Sequence, residues 1–428
     1  MGDWAQLSDD ALIIRLQRAA FSYFIDYADA KTGLVADTSR KRSPCSIAVV
    51  GFALSCYPIA VKNGWLSRTD AASRTLTVLR FFSQSTQSDA PDATGYKGFY
   101  YHFLDMQTGK RVWQCELSLI DTALLIAGVL VAGYFFDGGG EESEIRERAD
   151  ALYRRVDWHW AQNDTSGVTQ GWKPECGFLN YGWDGYNEAA ILHALGLGSP
   201  TFPFTPDVYR TWQLTYQWEN LLDRDVLYSG PLFTHLFSHA WIDFRGIRDA
   251  FMREKSSDYF ENTRSAIAIH REYGERNPRG LKGYSRNFWG VTAGDGPDVQ
   301  DLREDGRDRR FFGYMSRGVP YGPDDGTIAP WAMLATLPFA ADAALEGTRH
   351  LLGAYPQVCS QDRFSSGFNP TFRGDSGGWL SEGWYGLDQG LLVMMIENHR
   401  NGLIWEIMRR CSHLRHGLKR AGFEGEEL

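Results

Sequence analysis

Apolar residues recur at steps of three and four along much of the chain, which is the period of an amphipathic helix. This pattern predicts helices over residues 9–28, 46–63, 69–84, 117–135, 143–161, 327–345, 388–399 and 402–413. Ser67 and Thr69 stand at the start of the third segment, and Pro330 lies in the first turn of the sixth, as is typical of helix starts. Alternation of apolar and polar positions, the pattern of a strand, is rare. The sequence therefore predicts a mainly α-helical protein.

Long connections rich in glycine and aromatic residues separate the predicted helices, notably at 91–115, 164–187, 274–326 and 356–387. Unstructured loops of this length are uncommon in compact domains unless they are functional. No linker rich in Ser, Pro or Gly divides the chain, so we expect a single domain over residues 1–428. Antiparallel helices with long loops gathered at one end favour an α/α barrel. A helical solenoid is the alternative, although no fixed repeat period is visible.

Composition adds one unusual feature, because 14% of the 428 residues are aromatic. Many of these rings stand beside glycine in the long connections, which indicates an aromatic-lined cleft that suits a sugar. The net charge of −9 argues against general binding to nucleic acid or to anionic membranes. The longest apolar run, 117–136, is broken by Asp121 and two glycines, so no membrane-spanning helix is expected.

The six cysteines show no CxxC or metal-like spacing, which predicts buried free thiols in a reducing compartment. The first 25 residues are typical of an amphipathic helix and lack the pattern of an export signal. The expected location is the cytoplasm, with the periplasm as the alternative if a signal peptide has been removed.

The segment GWDGYNEAAILHALGLG places an acid where an apolar helix is expected to begin. Asn187 is a candidate N-cap, and Glu188 would lie in the first turn of a helix that ends near Leu195. An acid at this position can simply stabilise the helix dipole, by about 0.3–1 kcal/mol. The surrounding rings favour a carbohydrate site instead, because rings stack on apolar sugar faces while carboxylates bond hydroxyls and transfer protons. These rings belong to Trp172, Tyr181, Trp183 and Tyr186.

Two further segments combine acids with predicted helix starts. Glu116 and Asp121 are five positions apart, so we expect Glu116 to precede the first regular turn. Asp121 lies in an apolar run, where it is either hydrogen-bonded for structure or lines a cavity. Glu382 lies in a Gly/Trp loop, and Asp388 follows at the start of an apolar helix, either as a helix-terminal acid or as a functional one.

Other polar and aromatic groups extend the candidate sugar-binding set, namely His235, His239, Asn287, Trp289, Tyr321, Trp379 and Trp384. The two histidines have the spacing of a helical zinc pair, but HExxH and a third ligand are missing, so structural or hydroxyl-binding roles are expected and no metal or cofactor is predicted. The stretch DGPDVQDLREDGRDRR lacks the glycine and glutamate of an EF-hand at the required spacing and indicates a solvated loop. Asp324 and Asp325 are expected to be turn residues.

A family resemblance is carried, in chain order, by SIAVVGFALSCYPIAVKNGWLSR, GFYYHFLDMQTGKRVWQCELSLIDTALLIAGVL, GYNEAAILHALGLGSP, FSHAWIDFRG, DGTIAPWAMLATLPFA and GLDQGLLVMMIENHRNGLIW. These segments extend from about residue 46 to 406. In them the chain resembles the glycoamylase-like glycoside hydrolases, the bacterial β-1,2-glucanases of glycoside hydrolase family 144 and their relatives. The sequence departs from the family at Leu391, where the family has Pro, and at Phe202, where it has His.

The resemblance implies an (α/α)6 barrel and endo-acting hydrolysis of β-1,2-glucan to sophorooligosaccharides, without a metal and with inversion at the anomeric carbon. It implies that Glu188 is the general acid, that Glu116 and Asp121 are acids of the cleft, and that Asp388 is the candidate base. The expected partner is a β-glucan or an oligosaccharide. Transglycosylation, hydrolysis of another β-glucan, and catalytically silent glucan binding stay open as alternatives.

Overall fold

The computed structural model describes residues 4–426 and residue 428, apart from the side chain of Asp375. The fold is rich in helices, as predicted. The α-helices are α1 (Asp9–Asp26), α2 (Ile47–Lys62), α3 (Arg68–Gln84), α4 (Leu119–Phe135), α5 (Glu141–Arg155), α6 (Ala190–Gly198), α7 (Val208–Gln213), α8 (Ala250–Glu254), α9 (Tyr259–Arg276), α10 (Pro330–Ala335), α11 (Ala341–Ala354), α12 (Gly386–Arg400), α13 (Leu403–Arg409) and α14 (Ser412–Arg420).

Short strands occupy the connections that the sequence pattern presents as loops. They are β1 (Cys45–Ser46), β2 (Gly95–Tyr96), β3 (Phe99–Tyr101), β4 (Phe103–Leu104), β5 (Leu117–Ser118), β6 (Gly171–Lys173), β7 (Gly177–Phe178), β8 (Trp218–Leu221), β9 (Arg224–Leu227), β10 (Ala293–Gly294), β11 (Gln300–Glu304), β12 (Arg307–Phe311), β13 (Met315–Ser316), β14 (Cys359–Ser360), β15 (Arg363–Phe364), β16 (Phe368–Asn369) and β17 (Trp379–Leu380). Most contain two or three residues, which is too short for a period-two pattern to be recognised in a sequence.

The helix predictions are confirmed where the apolar pattern is strong, for α1 to α4 and α12. The predicted helix 143–161 ends earlier, at Arg155. The predicted helix 327–345 is divided into α10 and α11, because Pro338 in this run lacks the N–H that a helix needs. Helix α9 was not predicted, because Asn262 and His270 are polar residues on its buried side and interrupt the apolar pattern.

The chain forms two compact units, each assembled from several segments. The first contains Met1–Ser22, Gln217–Phe237 and Phe260–Arg400, and the second contains Tyr23–Tyr216, Ser238–Tyr259 and Asn401–Leu428. The prediction of a single domain stays a prediction.

Helices α2 and α4 form the centre of the second unit. They approach so closely that a Cβ atom on Gly51 or on Gly128 would overlap the backbone of the other helix. Both helices are buried on every side over most of their length, which explains why their apolar residues do not form a single stripe. Helix α4 also contacts α5, α6 and α13.

A five-stranded antiparallel sheet in the second unit leads the chain into α4. Its strand order is β2-β3-β5-β6-β7. In its register, Tyr101 lies opposite Leu117, and Leu117 lies opposite Trp172. This register places the residues that follow β3 next to those that precede β5, which is how the sheet positions the candidate site.

The first unit contains α10 packed against α11 and α12, together with the hairpins β8–β9 and β11–β12. The acid-rich stretch that was expected to be a solvated loop forms the β11–β12 hairpin. Asp324 and Asp325 are turn residues as expected, since each carboxylate accepts the backbone N–H two positions later over 3.0 Å, and both side chains are buried. Arg317 Nε lies 2.8 Å from Asp325 Oδ1 with both side chains fully buried, while two tyrosine hydroxyls donate to Asp324.

All six cysteines are free thiols, and five are buried as predicted, whereas Cys176 is exposed. Among the residues that the structure describes, no helix combines the length and the apolar character needed to cross a lipid bilayer.

Candidate active site

The start of α4 carries two of the predicted acids. Glu116 precedes β5 and therefore lies outside the helix, as the spacing predicts. Asp121 lies in the first turn, where its N–H donates to Ser118 Oγ over 3.2 Å. The Ser118 hydroxyl in turn donates to Asp121 Oδ2 over 2.5 Å. Of the two alternatives for this buried acid, the structure therefore shows the hydrogen-bonded one.

His102 links the two acids and was not predicted. Its Nδ1 lies 2.8 Å from Glu116 Oε1, and its Nε2 lies 3.6 Å from Asp121 Oδ2. The His102 ring stacks on Phe103 at 3.9 Å between ring centroids. The backbone N–H of His102 also donates to the Glu116 carbonyl over 3.0 Å, so the sheet fixes both ends of this contact.

The charges of this cluster determine the protonation of its members. Burial opposes charge on His102, but the charges of Asp121, Glu116 and Asp37 outweigh burial and raise the pKa of His102 to about 9. Burial alone would raise the pKa of Glu116, yet the hydrogen bond and the charge of His102 hold it below its ordinary value. Burial raises the pKa of Asp37 to about 6, despite the opposing charge of His102. At neutral pH the cluster thus contains an imidazolium between carboxylates.

Glu188 lies just before α6, not in its first turn. The helix begins at Ala190, so the predicted start at Glu188 is wrong by two residues. The reason is local: Asn187 Oδ1 accepts from Ala189 N–H over 3.0 Å, and Asn187 Nδ2 donates to the carbonyls of Asp184 and Gly185, which keeps the chain in a turn. The Glu188 carbonyl accepts a 2.6 Å hydrogen bond from the Ser238 hydroxyl.

The Glu188 carboxyl has a raised pKa. Burial, with a smaller contribution from the negative charge of Asp121, raises its pKa to about 7, while a hydrogen bond from its own backbone N–H opposes the rise. A carboxyl group with such a pKa is partly protonated at neutral pH and can donate a proton. The charge of Asp121 thus influences the protonation of Glu188, and both residues belong to the second unit.

The aromatic candidates of the second unit occupy different environments. Trp172 is half-buried and packs against Tyr96 at 5.1 Å between ring centroids. Tyr181 is exposed. Trp183 is half-buried, and its Nε1 has no hydrogen-bond partner among the described residues. Tyr186 is buried and stacks on Tyr259. Tyr181 is therefore the ring of this set that is most accessible from solvent.

In the first unit, Asp388 lies in the first turn of α12, as predicted. The Ser366 hydroxyl donates to Asp388 Oδ2 over 2.5 Å. Trp379 is half-buried in β17 and Glu382 is exposed. Trp384 is half-buried beneath the guanidinium of Arg363, 4.9 Å from the ring centroid.

The remaining candidates of the first unit differ in their access to solvent. Tyr321 is exposed and contacts the ring of Tyr228. Asn287 is half-buried and accepts a long hydrogen bond of 3.4 Å from Arg271.

Three predicted sugar-binding residues lie in the interior, namely His235, His239 and Trp289. Burial lowers the pKa of His235 to about 4, and its Nε2–H donates to the Ser229 carbonyl over 3.0 Å. His235 and His239 belong to separate short 3-10 helices, so they do not form a helical metal pair. Their burial, like that of Trp289, argues for packing and against the predicted contact with a sugar.

One group of side chains has the composition of a metal site. Candidate ligand atoms of His102, Glu116 and Asp121 lie within 4.8 Å of one another. However, His102 Nδ1 is directly bonded to Glu116, and Asp121 is bonded to Ser118. Contacts between the groups themselves favour an ion-pair network over a set of ligands directed at one central ion.

The site thus combines a carboxyl group that is protonatable near neutrality with ionised carboxylates and accessible rings. These are the groups of an acid–base site for a carbohydrate. Residues 180–412, more than half of the chain, match the model of the Glycoamylase family, whose description is "Putative glucoamylase". The chain belongs to this family, which confirms the predicted resemblance.

Similar proteins support the same fold. A solved structure of a putative glucoamylase from Bacteroides uniformis is 28% identical, with a TM-score of 0.87 and 99% of each chain covered. An endo-β-1,2-glucanase from Chitinophaga pinensis is 24% identical, with a TM-score of 0.86 over 99% of this chain and 100% of that chain. A curated relative, an exo β-1,2-glucooligosaccharide sophorohydrolase from Parabacteroides distasonis, is 25% identical over 97% of this chain. The chain spans 58% of the length of that relative.

Proposed function

We propose that this protein hydrolyses β-1,2-glucan, with Glu188 as the general acid. The proposal is carried by the Glu188 carboxyl, whose pKa of about 7 results from burial and from the nearby charge of Asp121. A partly protonated acid can donate its proton to the leaving glycosidic oxygen near neutral pH. The β-1,2-linkage is supported by the names of the relatives from Parabacteroides distasonis and Chitinophaga pinensis.

The proposed function extends to the architecture of the protein and to the anomeric configuration of its product. We infer one (α/α)6-barrel domain and an inverting reaction, in which Asp388 is the base that activates water. Inversion needs an acid and a base separated by roughly 6.5–9.5 Å, with water on the side opposite the leaving group. The Ser366 hydroxyl donates a 2.5 Å hydrogen bond to Asp388 Oδ2, which fixes the orientation of this carboxyl group.

The test is a reducing-sugar assay on linear β-1,2-glucan, with β-1,3- and β-1,4-glucans in parallel. We expect products from the β-1,2-glucan alone and loss of activity in Glu188→Gln. Proton NMR of the first products should show the α-anomer. Activity only on another linkage would refute the substrate, a β-anomer would refute inversion, and binding without products would favour a silent glucan-binding protein. Products longer than the starting oligosaccharide would indicate transglycosylation.

Exo-acting release of sophorose is the second candidate function, because the curated relative is named for it. Endo action gives a ladder of sophorooligosaccharides at early times, whereas exo action gives sophorose alone. Chromatography of early products separates the two. We favour endo action, as the family resemblance implies.

A further inference from the structure

Trp113 is an exposed aromatic residue close in sequence to the acids at the start of α4. Its exposed fraction is 70%, although it lies only three positions before Glu116. A large apolar ring in contact with water is unfavourable. Single exposed apolar residues are common, so the exposure becomes informative only with the backbone and the contacts around it.

The backbone at Trp113 is held in a conformation that non-glycine residues rarely adopt. Trp113 has φ +58° and the next residue, Gln114, has φ +49°. The N–H of Cys115 donates to the Val112 carbonyl over 3.2 Å, so the two residues form the centre of a tight turn. Turns with two positive φ values usually contain Asn and Gly. A Trp in this position is strained, and such strain is concentrated at functional sites.

A buried arginine fixes the turn. Arg111 Nε donates to the Cys115 carbonyl over 2.6 Å. Its Nη1 and Nη2 donate to the two carboxylate oxygens of Glu175 over 2.7 and 3.0 Å. The guanidinium also lies 4.7 Å from the ring centroid of Tyr101. The turn is therefore rigid, and the exposure of Trp113 is set by the fold.

Ring contacts connect Trp113 to the charged cluster. Its ring centroid lies 5.2 Å from that of Phe103. Phe103 stacks on His102 at 3.9 Å, and His102 bonds Glu116. The indole is thus the outermost of three neighbouring rings, of which the innermost contacts a predicted acid of the cleft.

We propose that Trp113 is a stacking platform for a glucose residue of a β-glucan, next to the cluster formed by His102, Glu116 and Asp121. A β-linked glucose presents axial C–H bonds on both faces, and a rigid indole offers a complementary apolar surface with little loss of side-chain entropy. The proposal rests on the proposed function, because it assigns a binding position to the same substrate.

Binding should be measured in the Glu188→Gln variant, in which we expect the oligosaccharide to bind without being cleaved. Titration calorimetry with sophorooligosaccharides of increasing length should show about tenfold weaker binding in Trp113→Ala. Trp113→Phe should retain most of the affinity, because a ring remains. Leu214→Ala is the matched control, since Leu214 is 74% exposed in the same unit. It should bind like the parent. In the active protein, which retains Glu188, Trp113→Ala should raise KM with little change in kcat.

The binding and activity assays give different results if Trp113 is not a platform and if the proposed function is wrong. Unchanged affinity and KM in Trp113→Ala, in a protein that cleaves β-1,2-glucan, would overturn the platform alone. Binding of β-1,3- or β-1,4-oligosaccharides through Trp113, without cleavage of β-1,2-glucan, would overturn the linkage and support the platform. Absence of binding to all of these sugars would overturn the platform. A change of oligomeric state in Trp113→Ala would also overturn it and would indicate that Trp113 lies in a protein interface.

Discussion

The substitution Glu188→Gln should abolish turnover and at the same time stabilise the folded protein at alkaline pH. Burial raises the pKa of Glu188 from 4.5 to about 7, so the folded protein holds this proton more tightly than the unfolded chain does. Glutamine is neutral at every pH and keeps nearly the same shape. The variant therefore loses the titratable proton at this position and also the cost of ionising a half-buried carboxyl group.

The sign and the size follow from proton linkage. Below pH 4.5 the carboxyl is protonated in both states and has no differential effect. Between pH 4.5 and about 7 the unfolded chain has released this proton while the folded wild type still holds it, so the free energy of unfolding falls over this range and is level above it. The difference between the two pKa values corresponds to about 3 kcal/mol. We expect the stability difference between variant and wild type to grow by this amount from pH 4 to pH 8.

Urea unfolding followed by circular dichroism at several pH values measures this difference, since the midpoint multiplied by its slope gives the free energy of unfolding. Contributions that do not depend on pH cancel in the comparison. Asp184→Asn, which removes an exposed carboxyl from the same loop, is the matched control and should run parallel to the wild type. A Glu188→Gln curve parallel to the wild type, or a variant with near-normal turnover, would refute the reasoning.

Three further substitutions test other parts of the structure. His102→Gln removes the positive charge between two acids. We expect kcat at pH 6 to fall about ten- to hundredfold, which corresponds to the loss of charge-assisted hydrogen bonds of ~1.5–3 kcal/mol. An unchanged kcat would show that the ion-pair network of His102 does not contribute to turnover. Gly128→Ala forces a Cβ atom onto the backbone of α2 and should destabilise the protein by about 1–3 kcal/mol in urea unfolding, whereas Gly353→Ala, which meets open space, should not. Arg317→Met leaves Asp325 buried without its cation and should lower the free energy of unfolding by about 3–5 kcal/mol. The added substitution Asp325→Asn removes the unpaired charge and should recover part of this stability.

The sequence pattern predicts the helices whose burial depends on apolar side chains alone. Helices α2 and α4 are apolar on all sides and are found within two residues of the prediction. Helix α9 escapes prediction because buried polar residues such as Asn262 are satisfied by long-range hydrogen bonds, here with Leu227. The short strands escape because pairing with distant segments, and not their own two or three residues, determines them.

The site shows the same limit. Glu116, Asp121 and Glu188 stand out because carboxylates interrupt apolar or aromatic segments. His102 gives no such signal, since a single His in FYYHFLD has no special spacing. Its role depends on the register of β3 with β5, which brings together residues 14 positions apart in the chain. Recognition of His102 from sequence would have required this strand pairing to be known.

The acids near helix starts differ in hydrogen bonding, and this difference separates their chemistry. Asp121 and Asp388 both lie in first turns, and each accepts a hydrogen bond from a serine hydroxyl. Glu188 lies just outside its helix, and burial raises its pKa to about 7. The sequence pattern predicts the same first-turn position for Glu188 and Asp388, whereas the turn held by Asn187 places Glu188 before its helix.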